Sequence, residues 1–294
     1  MVTEHVTRRP SLRRRARLSL RARVALLLGL VCLALAIDAH FIEPARLIAK
    51  HETLHLPALP AALAGLRIAF VADLHVGSPH WGVGPLRGLI ARVNAEHPDL
   101  ILLGGDYLTN GVEFGTRVEP TRVAQELGAL HAPLGVIAVL GNHDGWSVTS
   151  AFGRALTASG IRLLGDQVTR IETRGVSFAV LGLNDEETRR RSASEELALA
   201  PPGVPLMVLT HEPDIFAQLD SRALLTLAGH THGGQVRFPF IGAPIVRSRY
   251  GQRYLRGHIV EQGRHLYVTS GVGTSVWPIR FGVPPEYVVL TLRQ

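Results

Sequence analysis

As a pattern of apolar and polar positions, the chain divides into three stretches. Val24–Ile37 runs without a charge; Asp38 and His40 interrupt it before Phe41 and Ile42. Residues 43–65 hold Pro44, Pro57, Pro60 and Gly65, punctuation that predicts a linker. From Leu66 to Leu292, short apolar runs alternate with stretches of helical spacing. Arg67–Ala72, Leu100–Leu103, Val136–Leu140, Leu206–Thr210 and Leu224–Ala228 predict buried strands, with further strands at Val176–Leu181 and Leu266–Thr269. Leu86–Ala95 and Arg122–Leu130 predict helices. The alternation predicts an α/β layered domain over 66–294.

Charge changes the picture of the first stretch. The net charge of +7 suggests a nucleic-acid binder until its distribution is read. Residues 1–23 form an arginine-rich tail with eight arginines and one acid, Glu4, and account for the whole excess. The rest of the chain is neutral, which argues against a nuclease or another phosphate-backbone binder. The only cysteine, Cys32, lies in the apolar segment, so the domain has no internal disulfide and no cysteine metal ligand.

Residues 24–42 have three readings. A spanning helix needs about 20 apolar residues, so the uncharged run is short for one. A signal segment fits its length, with Ala34-Leu35-Ala36 as a small-residue cleavage site. An uncleaved anchor fits if the segment reaches from about Leu18 to Ile42 with its arginines snorkelling. A buried core helix fits poorly beside a polyarginine flank. Arginines before the apolar run predict an N-inside orientation with the domain exported; a cytoplasmic domain is the alternative. Thr7-Arg8-Arg9-Pro10-Ser11-Leu12 resembles a twin-arginine export signal but departs from it at Ser11.

Candidate chemistry gathers where the apolar runs end. Asp73-Leu74-His75, Gly104-Gly105-Asp106, Gly141-Asn142-His143-Asp144, His211 and Gly229-His230-Thr231-His232 each follow one predicted strand. Side chains at strand ends converge on a crevice of an α/β sheet. Asp, Asn and His admit manganese, iron or zinc. Asp106 after two glycines is accessible enough to bridge two cations, and Asn142 offers a neutral carbonyl oxygen. Two divalent cations, two carboxylates and a bridging hydroxide leave a residual +1, suited to an anionic phosphate ester. His143 is the candidate general acid, with Asp144 orienting its ring. Arg280, in a late Gly-rich segment, is a candidate for bidentate contact with substrate phosphate.

In this order the motifs resemble the calcineurin-like metallophosphoesterase superfamily. The resemblance implies a two-sheet β-sandwich flanked by helices in four αββα layers, preceded here by one apolar segment. It implies that Asp73, His75 and His232 bind one divalent metal, that Asn142, His211 and His230 bind the other, and that Asp106 bridges them. His143 would donate a proton to the leaving group. Ile42-Glu43-Pro44, Gly105-Asp106-Tyr107-Leu108-Thr109, Gly233-Gly234-Gln235 and Pro278-Ile279-Arg280-Phe281 are similar to a bacterial membrane-anchored phosphodiesterase branch. That branch implies a lipid- or envelope-linked phosphodiester or diphosphate as substrate. UDP-2,3-diacylglucosamine of lipid A synthesis is one candidate, and cell-envelope polymers or lipids are the alternative for an exported domain. A non-catalytic binding module on the same fold would be expected to have lost ligands.

Overall fold

The computed structural model describes residues 19–145 and 150–294. The arginine tail up to residue 18, with its Arg8-Arg9 pair, lies outside the described residues. The chain forms two compact units, 1–37 and 38–294.

The first unit contains helix α1 (Leu20–Ile37), none of whose residues is buried. It begins earlier than the predicted apolar segment and includes Arg21 and Arg23. Helical turns continue through Ala45; the stretch Leu20–Ala45 is 26 residues long, its most apolar 18-residue window has a mean hydropathy of 2.3, and by length and composition it is able to cross a membrane.

The second unit is built on two six-stranded sheets. In chain order its elements are β1 (Ile48–His55), β2 (Arg67–Val71), α2 (Val83–Ala95), β3 (Leu100–Leu103), α3 (Pro120–Leu127), β4 (Val136–Ala138), α4 (Ala151–Ala158), β5 (Arg162–Leu163), β6 (Gln167–Thr173), β7 (Val176–Gly182), α5 (Ala193–Ala198), β8 (Leu206–Leu209), β9 (Ala223–Ala228), β10 (Gly257–Glu261), β11 (Arg264–Val268) and β12 (Glu286–Arg293). The first sheet has the order β1-β12-β2-β3-β4-β5 and the second β10-β11-β9-β8-β7-β6.

Strand alternation explains the layers. In β2, Ile68 and Phe70 face the core between the sheets, while Ala69 and Val71 face α2, α3 and α4 on the outer side. In β7, Phe178 and Val180 face inward, and Ala179 and Leu181 pack against α5 and the short helix at Pro213–Gln218. Both faces of the central strands are therefore buried, as their unbroken apolar runs require. The arrangement is the expected αββα sandwich.

The linker expected at 43–65 is corrected. Ile48–His55 pairs in parallel with β12 along eight residues and completes the edge of the first sheet. Pro44, Pro57 and Pro60 lie outside this strand and mark its boundaries without interrupting it.

Candidate metal centre

Strands β2, β3 and β4 run parallel in one sheet, as β8 and β9 do in the other. Their carboxyl ends release five loops toward one rim of the sandwich. Asp73 and His75 follow β2, Asp106 follows β3, Asn142 and His143 follow β4, His211 follows β8, and His230 and His232 follow β9.

These loops hold an uncommon backbone. Asp73, His75, Asp106, His230 and His232 all have φ between 42° and 70°. Asp and His tolerate this left-handed region better than most residues, and such strain concentrates at functional sites. Glycines make the crowding feasible. A Cβ on Gly141 would collide with Asp106 Oδ1, and one on Gly229 with Asp73 Oδ2. Gly105, at φ +90°, would place a Cβ 2.6 Å from the nitrogen of Gly141.

Two groups of donor atoms result. Around the first, Asp73, His75 and His232 bring one ligating atom each within 4.8 Å of the others. His75 Nε2 lies 3.1 Å from His232 Nε2, and their rings stack. Around the second, His230 Nδ1 lies 3.1 Å from Asn142 Oδ1 and 3.2 Å from His211 Nε2. His211 Nδ1 donates to the carbonyl of Gly104 at 2.8 Å, which turns Nε2 toward the cluster. Asp106 lies between the groups: its Oδ2 is 3.4 Å from His75 Nε2 and 3.2 Å from His211 Nε2. The sequence-predicted ligands are thus brought together without exception.

Burial sets the electrostatics. It pushes His75 down to about 4 and His230 down to about 3, so both imidazoles stay neutral with lone pairs available. It pushes His232 down too, and Asp73 up to about 7. Burial also opposes charge on Asp106 and His211, but their mutual attraction outweighs it. Asp106 is held well below the usual carboxylate range and His211 well above the usual imidazole range. A divalent cation can replace the proton between such a pair. Three neutral imidazoles, the imidazole of His211 once its proton is displaced, two carboxylates and an amide oxygen on one rim fit two divalent cations.

Two expected roles are corrected. Asp144 does not orient the ring of His143. Its carboxylate accepts the backbone N–H groups of Asp106, Tyr107, Leu108 and Gly141 at 2.7–3.0 Å. It clasps the β3 loop to the β4 loop, a task that consumes its acceptor capacity. His143 is held otherwise: its N–H donates to Asp106 Oδ1 at 2.9 Å, and its ring meets His75 edge-on at 5.0 Å. Among the described residues its Nδ1 is buried without a partner.

Arg280 does not face substrate. It is fully buried, and its guanidinium donates to the carbonyls of Ser270, Gly271, Gly273 and Val283. Its Nη2 also lies 3.4 Å from His232 Nδ1. Gly271 stands directly against Asp73, and Gly273 against Leu74 and His75. Arg280 therefore braces the loop that packs behind the first group.

Two residues escaped the sequence reading. Glu212 comes within ligating reach of His211 and His230, and its place beside His211 at the end of β8 was the available signal. Burial and a hydrogen bond with Asp185 push its carboxyl well above the usual range. Arg247 lines a cavity of about 300 Å³ with His230, His232 and Trp277. Nothing in the sequence near Arg247 marks it.

Known proteins resemble this chain. A family model for calcineurin-like phosphoesterases matches residues 66–234. The metallophosphoesterase YkuE of Bacillus subtilis is 31% identical over 265 residues, covering 87% of this chain and 88% of that protein. The phosphodiesterase YaeI of Escherichia coli is 34% identical, covering 78% and 83%. A transmembrane protein with a metallophosphoesterase domain from Danio rerio is 30% identical over 80% of this chain and 55% of its own length.

Proposed function

This chain belongs to the calcineurin-like phosphoesterase family, and from that premise we propose that it is a dinuclear-metal phosphodiesterase acting on a membrane-associated ester. The observation that carries the reading is Asp106 Oδ2 lying between His75 Nε2 and His211 Nε2. We assign Asp73, His75 and His232 to one divalent ion and Asn142, His211 and His230 to the other, with Asp106 shared. Manganese, iron and zinc all suit these ligands. Divalent cations held by these residues would supply an activated water and would offset the charge of the phosphate.

The protein supplies the remaining chemistry. Asp144 and Arg280 hold the two loop systems in register from behind. His143, beside Asn142 and against His75, is the proton donor to the leaving oxygen. Arg247, in place of Arg280, is the cation that meets the phosphate at the mouth.

The test is hydrolysis of bis-p-nitrophenyl phosphate with added manganese; a folded, metal-loaded sample that turns over none of it overturns the reading. His143→Ala should lose on the order of 10²–10⁴ in rate while keeping its metal.

The substrate class follows from the membrane side. We propose that α1 is an uncleaved anchor in a bacterial inner membrane. Arg21 and Arg23 at its amino end favour an exported domain, which would meet envelope phosphodiesters. A cytoplasmic domain would meet UDP-2,3-diacylglucosamine instead. A carboxyl-terminal reporter fusion separates the two: export removes the lipid A precursor, and a cytoplasmic reporter restores it.

A further inference from the structure

We propose that the hairpin Arg237–Gly242, together with Phe41 and Ile42, is a lipid-docking surface that seats the mouth of the metal centre against the bilayer. The proposal rests on the reading of α1 as an anchor.

The hairpin is built to display apolar side chains. Phe238 and Gly242 exchange both backbone hydrogen bonds at 3.0 Å, closing a tight turn. At its tip Phe240 is fully exposed at 109%, and Ile241 is 71% exposed. Phe240 also sits at φ 65°, a region that bulky residues rarely enter. Backbone strain that leaves a phenylalanine in water gains nothing within the chain. Such strain marks a site whose partner lies outside the fold.

The hairpin is locked to the segment that follows α1. Arg237 N–H donates to the carbonyl of Phe281, and the Phe238 and Phe281 rings are 5.5 Å apart. The next residue, Gly282, donates its N–H to the buried carboxylate of Glu43 at 2.9 Å. Trp81 Nε1 donates to the carbonyl of Pro44, and Arg280 N–H to that of Ala39. Phe41 and Ile42, both more than half exposed, therefore have a fixed position relative to Phe240. Phe41 follows Ile37 by four residues, so chain length alone keeps it within about 15 Å of the end of α1.

Charge selects lipid as the occupant. Arg46 follows Ile42 by four residues and Arg237 precedes Phe238; both are exposed, as is Arg247 at the mouth. Among the described residues none of the three makes a side-chain ion pair. Exposed apolar side chains with exposed arginines close by in the chain suit the boundary between acyl chains and anionic headgroups. The same polypeptide carries the centre: Gln235, two residues before the hairpin, donates to the carbonyls of Ser275 and Trp277 at the mouth.

The test uses the full chain with Cys32→Ser, reconstituted in vesicles of phosphatidylcholine and phosphatidylglycerol. A fluorophore is attached in turn at Phe240→Cys, at Leu28→Cys in α1, and at Glu172→Cys near the β6–β7 turn. The expected result is quenching of positions 240 and 28 by doxyl-labelled lipid, and quenching of 172 by aqueous iodide alone. Iodide quenching at 240 with lipid quenching at 28 overturns the docking surface but keeps the anchor. Iodide quenching at 28 overturns the anchor reading and the proposal with it. Protection of 240 from both quenchers identifies a second protein copy as the occupant and also overturns the proposal. In a second arm, Phe240→Asp with Ile241→Asp should slow a vesicle-borne phosphodiester several-fold and leave soluble bis-p-nitrophenyl phosphate turnover unchanged. Equal loss on both substrates counts against docking.

Discussion

The two sheets contribute different chemistry to one rim. The first, through the loops after β2, β3 and β4, brings both carboxylates, the amide of Asn142, and His75. The second, through the loops after β8 and β9, brings His211, His230 and His232 and neither bridging nor terminal carboxylate among the proposed ligands. Under our assignment neither sheet holds a complete set for either ion, since each ion draws on both. The centre is thus a contact between sheets, and its geometry depends on the core that packs Phe70 and Leu102 against Phe178 and Leu209. Bound metal should in turn fasten the sheets together.

The most damaging change should be the one that removes the shared ligand. Asp106→Asn takes away the charge between His75 and His211, so metal content should fall at both sites together and activity should disappear. Elemental analysis of the purified variant checks this; full retention of two ions would break the sharing of Asp106. Gly141→Ala should come close behind. It alters no ligand, but its methyl group would collide with Asp106 Oδ1. Activity should fall sharply with circular dichroism unchanged. If the variant is fully active, the close approach of the β4 loop to Asp106 is not needed.

Metal removal tests the fastening directly. Ions that bind only the folded chain stabilise it by about 2.7 kcal/mol at a hundredfold excess over Kd. EDTA should therefore lower Tm, and manganese should restore it. The Asp106→Asn variant should show little of that response. A Tm indifferent to EDTA in the parent protein would mean that the centre does not tie the sheets together.

The strands that carry the site were legible because each is an unbroken apolar run closed by a polar motif. The paired faces of β2 and β7 made that pattern strong. Strand β1 was not legible: His51, Glu52 and His55 give it the polarity of an edge, and the prolines around it suggest a linker. Its partner β12 lies at the far end of the chain, and such a pairing leaves no local trace. The roles of Asp144 and Arg280 were misread for a related reason. Each satisfies backbone groups of loops distant in sequence, and backbone partners have no signature in residue type. A buried arginine serving four carbonyls looks, in sequence, like one aimed at phosphate.

The smallest expected effect on activity lies away from the rim, on the outer layer of the second sheet. Glu196 in α5 is fully buried, and among the described residues neither of its carboxyl oxygens has a hydrogen-bond partner. Burial pushes it from the ordinary 4.5 up to about 7. A carboxyl raised in the folded state is protonated there while the unfolded chain has already ionised, so stability falls as pH rises from about 4.5 to about 7. Glu196→Gln keeps the shape and removes the titration. Its Tm should equal that of the parent near pH 4.5 and exceed it increasingly up to pH 7, with the gap constant above. Because α5 packs on the second sheet away from the ligand loops, metal content and activity should not change. A metal loss in this variant would show that the outer layer is coupled to the rim and that the contrast between the sheets reaches beyond their ligand loops.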